Sequence, residues 1–418
     1  MLAATMLLTL GCASHGRPAA IDPAGKDFAA LVDSDRARLL LADLLARESA
    51  DPRLAALAPT VVSADLVRDR PAPTLDPGWI PDQAWLRERA LEVSMDFAAL
   101  AFAHAIGADE RSRAVQAAFD RSLRDGPGRS EELLRQPGAF PYTLLFAPSW
   151  LYRSHPANGS DFARQRRLLD RLGIANRLIA SAESGSVEDN AAAIAAAVRE
   201  AGRRRGALIL VSASKSGAEV ALALSRLLTP EEAASVGGWL NVVGALHGTP
   251  LADAALRPPA SWIARFAFWM TGWNWAGLSS MATGPSRRRL EGARLPDSIA
   301  VINLVAIPVS GSVGAKVVLG YKILRSHGPN DGVVLLADTV WPGGANIVAL
   351  GADHLFASRQ EDAHDMAMLR ATDFAVRLHG GAGLDLRPRA ERSGTLAERD
   401  SGGDLDLVWP QALVPIRK

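Results

Sequence analysis

The sequence holds one cysteine in 418 residues, which excludes an internal disulfide framework and any multi-cysteine metal site. It also lacks a charge of one sign: 46 Lys+Arg stand against 45 Asp+Glu, a formal net charge of +1. A balance this close to neutral gives no electrostatic footprint for nucleic acid, so no nucleic-acid partner is expected. Uninterrupted apolar runs long enough for repeated membrane crossing are missing, which excludes a polytopic membrane protein. No His/Glu pair at helical metal-ligand spacing stands out, so neither a metal nor a cofactor is expected. What is there is 48% hydrophobic and 22% charged, the composition of a globular chain rather than a disordered one.

The lone cysteine, Cys12, follows the apolar run Leu2 to Leu10 and Gly11. Leu8-Thr9-Leu10-Gly11-Cys12 resembles the lipobox of bacterial lipoproteins, whose signal is cut before a cysteine that accepts lipid. Residues 1–11 are therefore expected to be a signal, Cys12 the lipidation site, and Ala13 to Lys26 a flexible tether. Lipidation anchors a chain to a membrane surface without spanning it. Ala13 after the cysteine resembles lipoproteins sent to the outer membrane, so an exported, anchored protein is the expected location. One departure is that no Lys or Arg precedes Arg17, whereas export signals start with positive charge.

Past the tether, apolar residues recur at helical spacing from Asp27 to Glu48, and a Pro-rich stretch runs from Pro71 to Pro81. Further helices are expected from Asp82 to Ile106 and from Asp109 to Leu123, ending near Gly126. This helical region, residues 12–135, carries no catalytic constellation, and His104 reads as a packed core histidine. From about Pro141 short apolar runs alternate with helical segments. Strands are expected at Tyr142–Ala147, Asn176–Ala180, Ala207–Ser212, Leu240–Leu246, Ala300–Ile307 and Asn346–Leu350. Helices are expected near Phe162–Leu172, Glu188–Arg199, Gly217–Leu228 and Gln360–Leu378. That alternation predicts an α/β fold, a mostly parallel sheet with helices on both faces, over residues 136–385, followed by a tail at 386–418. Functional residues of such sheets gather beyond the carboxyl ends of the strands.

Gly206 to Val220 reads as strand, tight turn and helix, with Ser214 at the turn. A nucleophile elbow needs small residues two before and two after the serine. Here those are Ser212 and Ser216 in place of glycines, with Gly217 one position on; Ser212 and Ser216 are themselves rival nucleophiles. Gly328-Pro-Asn-Asp-Gly-Val-Val334 is turn chemistry that presents Asp331, and Gly351-Ala-Asp-His-Leu355 places His354 just past an expected strand. A serine hydroxyl becomes a useful nucleophile when a histidine takes its proton and an aspartate fixes that histidine's tautomer. Alternatives are Asp353 as the acid, His247 or His327 as the base, and a Ser–Lys pair through Lys215, which would need a desolvated lysine.

With Ser214, Asp331 and His354 in that chain order, the stretch from Pro141 to His379 resembles the α/β-hydrolase superfamily, within it the bacterial lipases and esterases. N-D-G-V-V followed by D-H-L is similar to their acid and histidine loops, and His247-Gly-Thr-Pro-Leu-Ala-Asp253 to the loop where their lid begins. The resemblance implies Ser214 as nucleophile, Asp331 as acid, His354 as base, and an oxyanion hole from the backbone N–H of Lys215 and of the Pro148-Ser149-Trp150 loop. Trp150 is the candidate second donor, with Ser149 left open beside it. It also implies a lid over about 254–295, and Pro259 to Leu278 there holds Trp262, Trp269, Trp273 and Trp275 with Arg265 the one charge. An amphipathic lid of this kind covers an apolar acyl pocket and meets a lipid interface; a static helical cap is the other reading. The expected activity is cleavage of carboxylic esters, lipid-like acyl esters among them, through an acyl-enzyme. The alternative is a non-catalytic, membrane-anchored binding or assembly protein on the same scaffold.

Overall fold

The computed structural model describes residues 31–48, 79–136, 138–203, 207–356 and 361–380. Cys12, its tether and the tail at 386–418 lie outside the described residues. Six strands form one sheet: β1 (Tyr142–Ala147), β2 (Asn176–Leu178), β3 (Ala207–Ala213), β4 (Val236–Val242), β5 (Ala300–Ile307) and β6 (Ala345–Leu350). Their order is β2-β1-β3-β4-β5-β6, and every neighbouring pair is parallel. The chain starts at β1, steps outward to β2, then crosses back to β3 and runs the other way. Between β1 and β3 lies the point where the winding reverses, and crevices at the carboxyl edge open at such points.

The helices are α1 (Asp35–Glu48), α2 (Gln83–Glu92), α3 (Met95–Gly107), α4 (Glu110–Leu134), α5 (Ala163–Leu172), α6 (Val187–Gly202) and α7 (Lys215–Leu222). After them come α8 (Pro230–Ala233), α9 (Pro250–Leu256), α10 (Ala260–Thr271), α11 (Trp275–Ser279), α12 (Thr283–Leu290), α13 (Val318–Leu324) and α14 (Glu361–Gly380). Residues of α4, α5 and α14 pack with Leu144, Ile209 and Ile302 on one face of the sheet. On the other, residues of α6, α7 and α9–α12 pack with Leu145, Leu210 and Val301, and α1–α3 cover Val305, Ile307 and Val348. Helices therefore cover both faces. β5 is buried at every residue, which is why it reads as a continuous apolar run.

Several elements differ from the sequence expectation: the first helix, expected from Asp27, begins at Asp35, and β2 ends two residues early, at Leu178. The helix expected over Asp82 to Ile106 is two, because Ser94 caps α3 by accepting from Phe97 N at 3.1 Å. The helix expected to end near Gly126 breaks there, at φ 78°, and resumes at Pro127, which suits a first helical position. β4 begins four residues earlier than expected, at Val236, since Gly237 and Gly238 lie inside the strand. A Cβ on Gly238 would stand 2.8 Å from the Val376 side chain of α14, so glycine there lets helix and sheet meet. Val243 to Leu246, expected as strand, instead form the loop that closes onto the end of β3.

Beneath that loop an asparagine ladder crosses the sheet. Asn241 Nδ2 donates to Asn303 Oδ1 and Asn303 Nδ2 to Asn346 Oδ1, both at 3.0 Å, with all three side chains buried. Trp239, fully buried, donates from Nε1 to Ser212 Oγ at 2.8 Å. These bonds satisfy polar groups that would otherwise cost about 1–3 kcal/mol each if left unpaired in the core.

Candidate active site

Ser214 joins β3 to α7 with φ 51° and ψ −123°, a conformation that a side chain other than glycine avoids and that costs roughly 1–3 kcal/mol. Its surroundings hold it there. Ser214 N donates to Val242 O at 3.0 Å, and Ser214 O accepts from Gly217 N at 3.0 Å and Ala245 N at 2.8 Å. Ser212 and Ser216 are fully buried and their hydroxyls are committed. Ser212 Oγ receives the Trp239 bond, and Ser216 Oγ donates to Ala147 O at 2.8 Å while accepting from Ala213 N at 3.0 Å. Neither rival is a free nucleophile. The close approach for which elbows use glycine is met one position on: a Cβ on Gly217 would lie 2.7 Å from Gly244 Cα. Ser214 is half-buried, and its hydroxyl bonds to no described residue.

The turn that carries Asp331 lies between β5 and β6. Asn330 Oδ1 accepts from Gly332 N at 3.0 Å, and Gly332 takes φ 100° where a Cβ would meet Val317 Cβ at 2.7 Å, so Asn-Asp-Gly is what this turn requires. Asp331 is fully buried. Its Oδ1 accepts from Val333 N at 2.9 Å and Val334 N at 2.7 Å, and its Oδ2 bonds to His354 Nδ1 at 2.7 Å. His354 N also donates to Asp331 O at 3.0 Å, so backbone and side chain fix one ring to one carboxylate. With a carboxylate as partner, Nδ1 carries the proton and Nε2 is the ring's basic nitrogen. No hydrogen bond joins His354 to Ser214 here; in unliganded sites this contact is often loose and tightens around substrate.

The other candidates are engaged elsewhere. Asp353 accepts from Gly314 N at 2.8 Å and Leu355 N at 3.0 Å, tying the His354 loop to the loop after β5. His247 Nδ1 pairs with Asp338 Oδ1 at 3.1 Å, whereas His327 is an exposed residue whose backbone carbonyl accepts from Gln83 Nε2. Lys215 Nζ is buried in an ion pair with Glu219, so it is not the free amine that a Ser–Lys pair requires. His104 is half-buried on α3, whose other residues are mostly buried.

The loop after β1 lies beside the elbow, joined to it through the Ser216–Ala147 bond. Ser149 N donates to Ser160 O and Leu151 N to Glu183 O, each at 2.9 Å, whereas Trp150 N–H bonds to no described residue. Lys215 N–H opens a helix, where no intrahelical acceptor exists for it. The two donors named from the sequence are thus both unengaged, and Ser149 is not.

Helices α9–α12 lie between β4 and β5. Phe268 of α10 is buried against Trp150, Trp273 and Trp275, with ring centroids at 6.2, 5.7 and 5.4 Å. A Cβ on Gly277 would stand 2.7 Å from the Trp150 ring and 2.1 Å from Ser184 O, so α11 rests directly on the loop after β1. The opposite face of α10 is bare: Trp262 is 68% and Trp269 74% exposed, with Phe266 and Met270 beside them.

Sequence reading missed Glu219, Asn190, Glu183 and the strained Leu151, at φ 54°. Only the first left a signal, the four-residue spacing of Lys215 and Glu219 on an expected helix.

Among the described residues no group of three or more His, Cys, Asp or Glu is placed to hold a metal, and no helix is long and apolar enough to cross a membrane. No protein-family model matches the chain, and no curated protein matches it. Solved structures that it is similar to include a metagenomic carboxyl esterase, at 22% identity over 56% of this chain and 76% of that one, TM-score 0.46. Another is a Bacillus licheniformis lipase in mature form, at 23% identity over 52% of this chain and 86% of that one, TM-score 0.43. What this chain's own sheet order and elbow display is an α/β-hydrolase fold.

Proposed function

We propose that the chain is a serine hydrolase that cleaves carboxylic esters. The observation that carries this reading is the strained Ser214 at the carboxyl end of a central strand, on the same sheet edge as the buried Asp331–His354 pair. A serine held at such cost and a histidine locked to a carboxylate have no role in a passive scaffold, which weighs against the binding-protein reading.

Ser214 Oγ attacks the carbonyl carbon and passes its proton to His354 Nε2, while Asp331 stabilises the imidazolium. Charge on the former carbonyl oxygen is met by the N–H groups of Lys215 and Trp150. His354 returns the proton to the leaving alcohol, and water attacks the acyl-enzyme with the same histidine as base. No step draws on a metal or cofactor.

The bare aromatic face of α10 supports lipid-like acyl esters as substrates and a lipid surface as the place of action. An anchor at Cys12 would hold the site against such a surface, on the outer membrane of an exporting cell. The test is hydrolysis of p-nitrophenyl esters of increasing acyl length, with and without detergent. Turnover by the wild type that falls to background in His354→Ala is expected. A folded wild type inert toward every ester would overturn the proposal.

A further inference from the structure

We infer that Asn190, Lys215 and Glu219 act as one positioning unit that sets the separation of the two oxyanion donors, an inference that rests on the serine-hydrolase reading above. Their side chains and the backbone between them close a ring. Lys215, whose N–H is the first donor, sends its side chain along α7 to Glu219, four residues on. Glu219 Oε1 accepts from Asn190 Nδ2 at 2.9 Å. Asn190 then grips Ala182 twice, Nδ2 donating to Ala182 O at 3.0 Å and Oδ1 accepting from Ala182 N at 3.1 Å.

The next residue, Glu183, holds the loop that carries the second donor. Its carbonyl accepts from Leu151 N at 2.9 Å, and its carboxylate accepts from Arg153 N at 3.1 Å and from Ser154 N and Oγ, both at 2.7 Å. Leu151 directly follows Trp150 and is kept at its strained φ of 54° by this grip. The ring closes where Lys215 Nζ lies over the Trp150 indole, 5.8 Å from its centroid.

Stability alone gives no reason for the pair. Lys215 and Glu219 are 3% and 1% exposed, and removing two charges from water costs what their attraction returns, so an apolar pair would serve the fold as well. Geometry gives a reason. Oxyanion stabilisation depends on donors fixed before charge develops, and a donor that drifts loses its effect. A ring running from one donor residue to the other fixes their spacing without a hydrogen bond to either N–H.

The test uses Asn190→Ala and the double variant Lys215→Met/Glu219→Gln, which leaves no unpaired charge in the core and keeps both backbone N–H groups. Steady-state kinetics on a soluble p-nitrophenyl ester are paired with inhibition by an aryl trifluoromethyl ketone, whose serine adduct places an alkoxide in the oxyanion hole. In both variants kcat falls roughly tenfold or more with KM within about twofold, and the ketone's Ki rises by a similar factor. The pH at which kcat/KM reaches half its plateau stays where it is in the wild type. Folded variants with wild-type kcat and ketone affinity, or with a loss confined to KM, overturn the inference and leave the serine-hydrolase reading standing. A wild type that neither turns over the ester nor binds the ketone overturns that reading, and this inference with it.

Discussion

Ser214 and its two neighbours show how far single residues speak from the sequence. The order of Ser214, Asp331 and His354, with small residues around the first and a turn around the second, marked all three as candidates, and the structure pairs two of them, Asp331 and His354. The serines at 212 and 216 were ambiguous, because a hydroxyl's role depends on what it meets across the sheet. Trp239 comes from β4 and Ala147 from β1, partners that no local pattern reveals. The Asp331–His354 bond makes a prediction at this scale. Asp331→Asn keeps the shape of the turn but favours the wrong imidazole tautomer, so ester kcat falls by about 10³–10⁴ while the thermal midpoint changes little. A variant within about tenfold of wild type would mean that Asp331 does not orient the base.

At the scale of elements, period and capping placed most strands and helices within a few residues. β4 was expected four residues late because its first part holds Gly237 and Gly238 rather than an apolar run, and here Gly238 makes room for α14. Helices α9–α12 were legible as an insertion rich in tryptophan, yet the face that each aromatic presents was not. Phe268 turns inward to Trp150, and Trp262, Phe266 and Trp269 turn outward. Replacing those three outward residues by serine is expected to lower partitioning onto anionic phospholipid vesicles by tenfold or more while leaving hydrolysis of a soluble short-chain ester within about twofold, measured by co-sedimentation and initial rates. Equal binding by the triple variant would remove α10 from any role at a lipid surface. Gly277→Ala probes the inner side: its methyl group meets Ser184 O and Trp150, and a loss of about 1–3 kcal/mol in denaturant unfolding is expected.

For the whole molecule, strand alternation announced a parallel sheet with both faces covered, but not what joins the N-terminal helices to it. A buried polar joint between them, beside the apolar packing, is Asp96. Its carboxylate accepts from Asp33 N near α1 and from Ser310 N and Oγ after β5, each at 2.8 Å. Burial, reinforced by the neighbouring Asp33 charge, pushes its pKa up from 3.8 to about 6. The folded state thus holds this proton more tightly than the unfolded chain. The stability it contributes is complete below pH 3.8 and lost as the pH rises through about 6, amounting to about 3 kcal/mol at 1.36 kcal/mol per unit. Asp96→Asn cannot titrate. Its stability relative to wild type should therefore improve by up to about 3 kcal/mol between pH 4 and pH 7.5 in urea melts, and a pH-independent difference would refute this. The same sheet brings the ends of β1, β3, β5 and β6 to one edge, and the account stands or falls on what that edge does. Labelling by a fluorophosphonate probe tests it most directly. The account predicts a labelled wild type, no labelling of Ser214→Ala, and labelling retained in Ser212→Ala; a folded, unlabelled wild type, or a Ser214→Ala variant that still reacts, would contradict it.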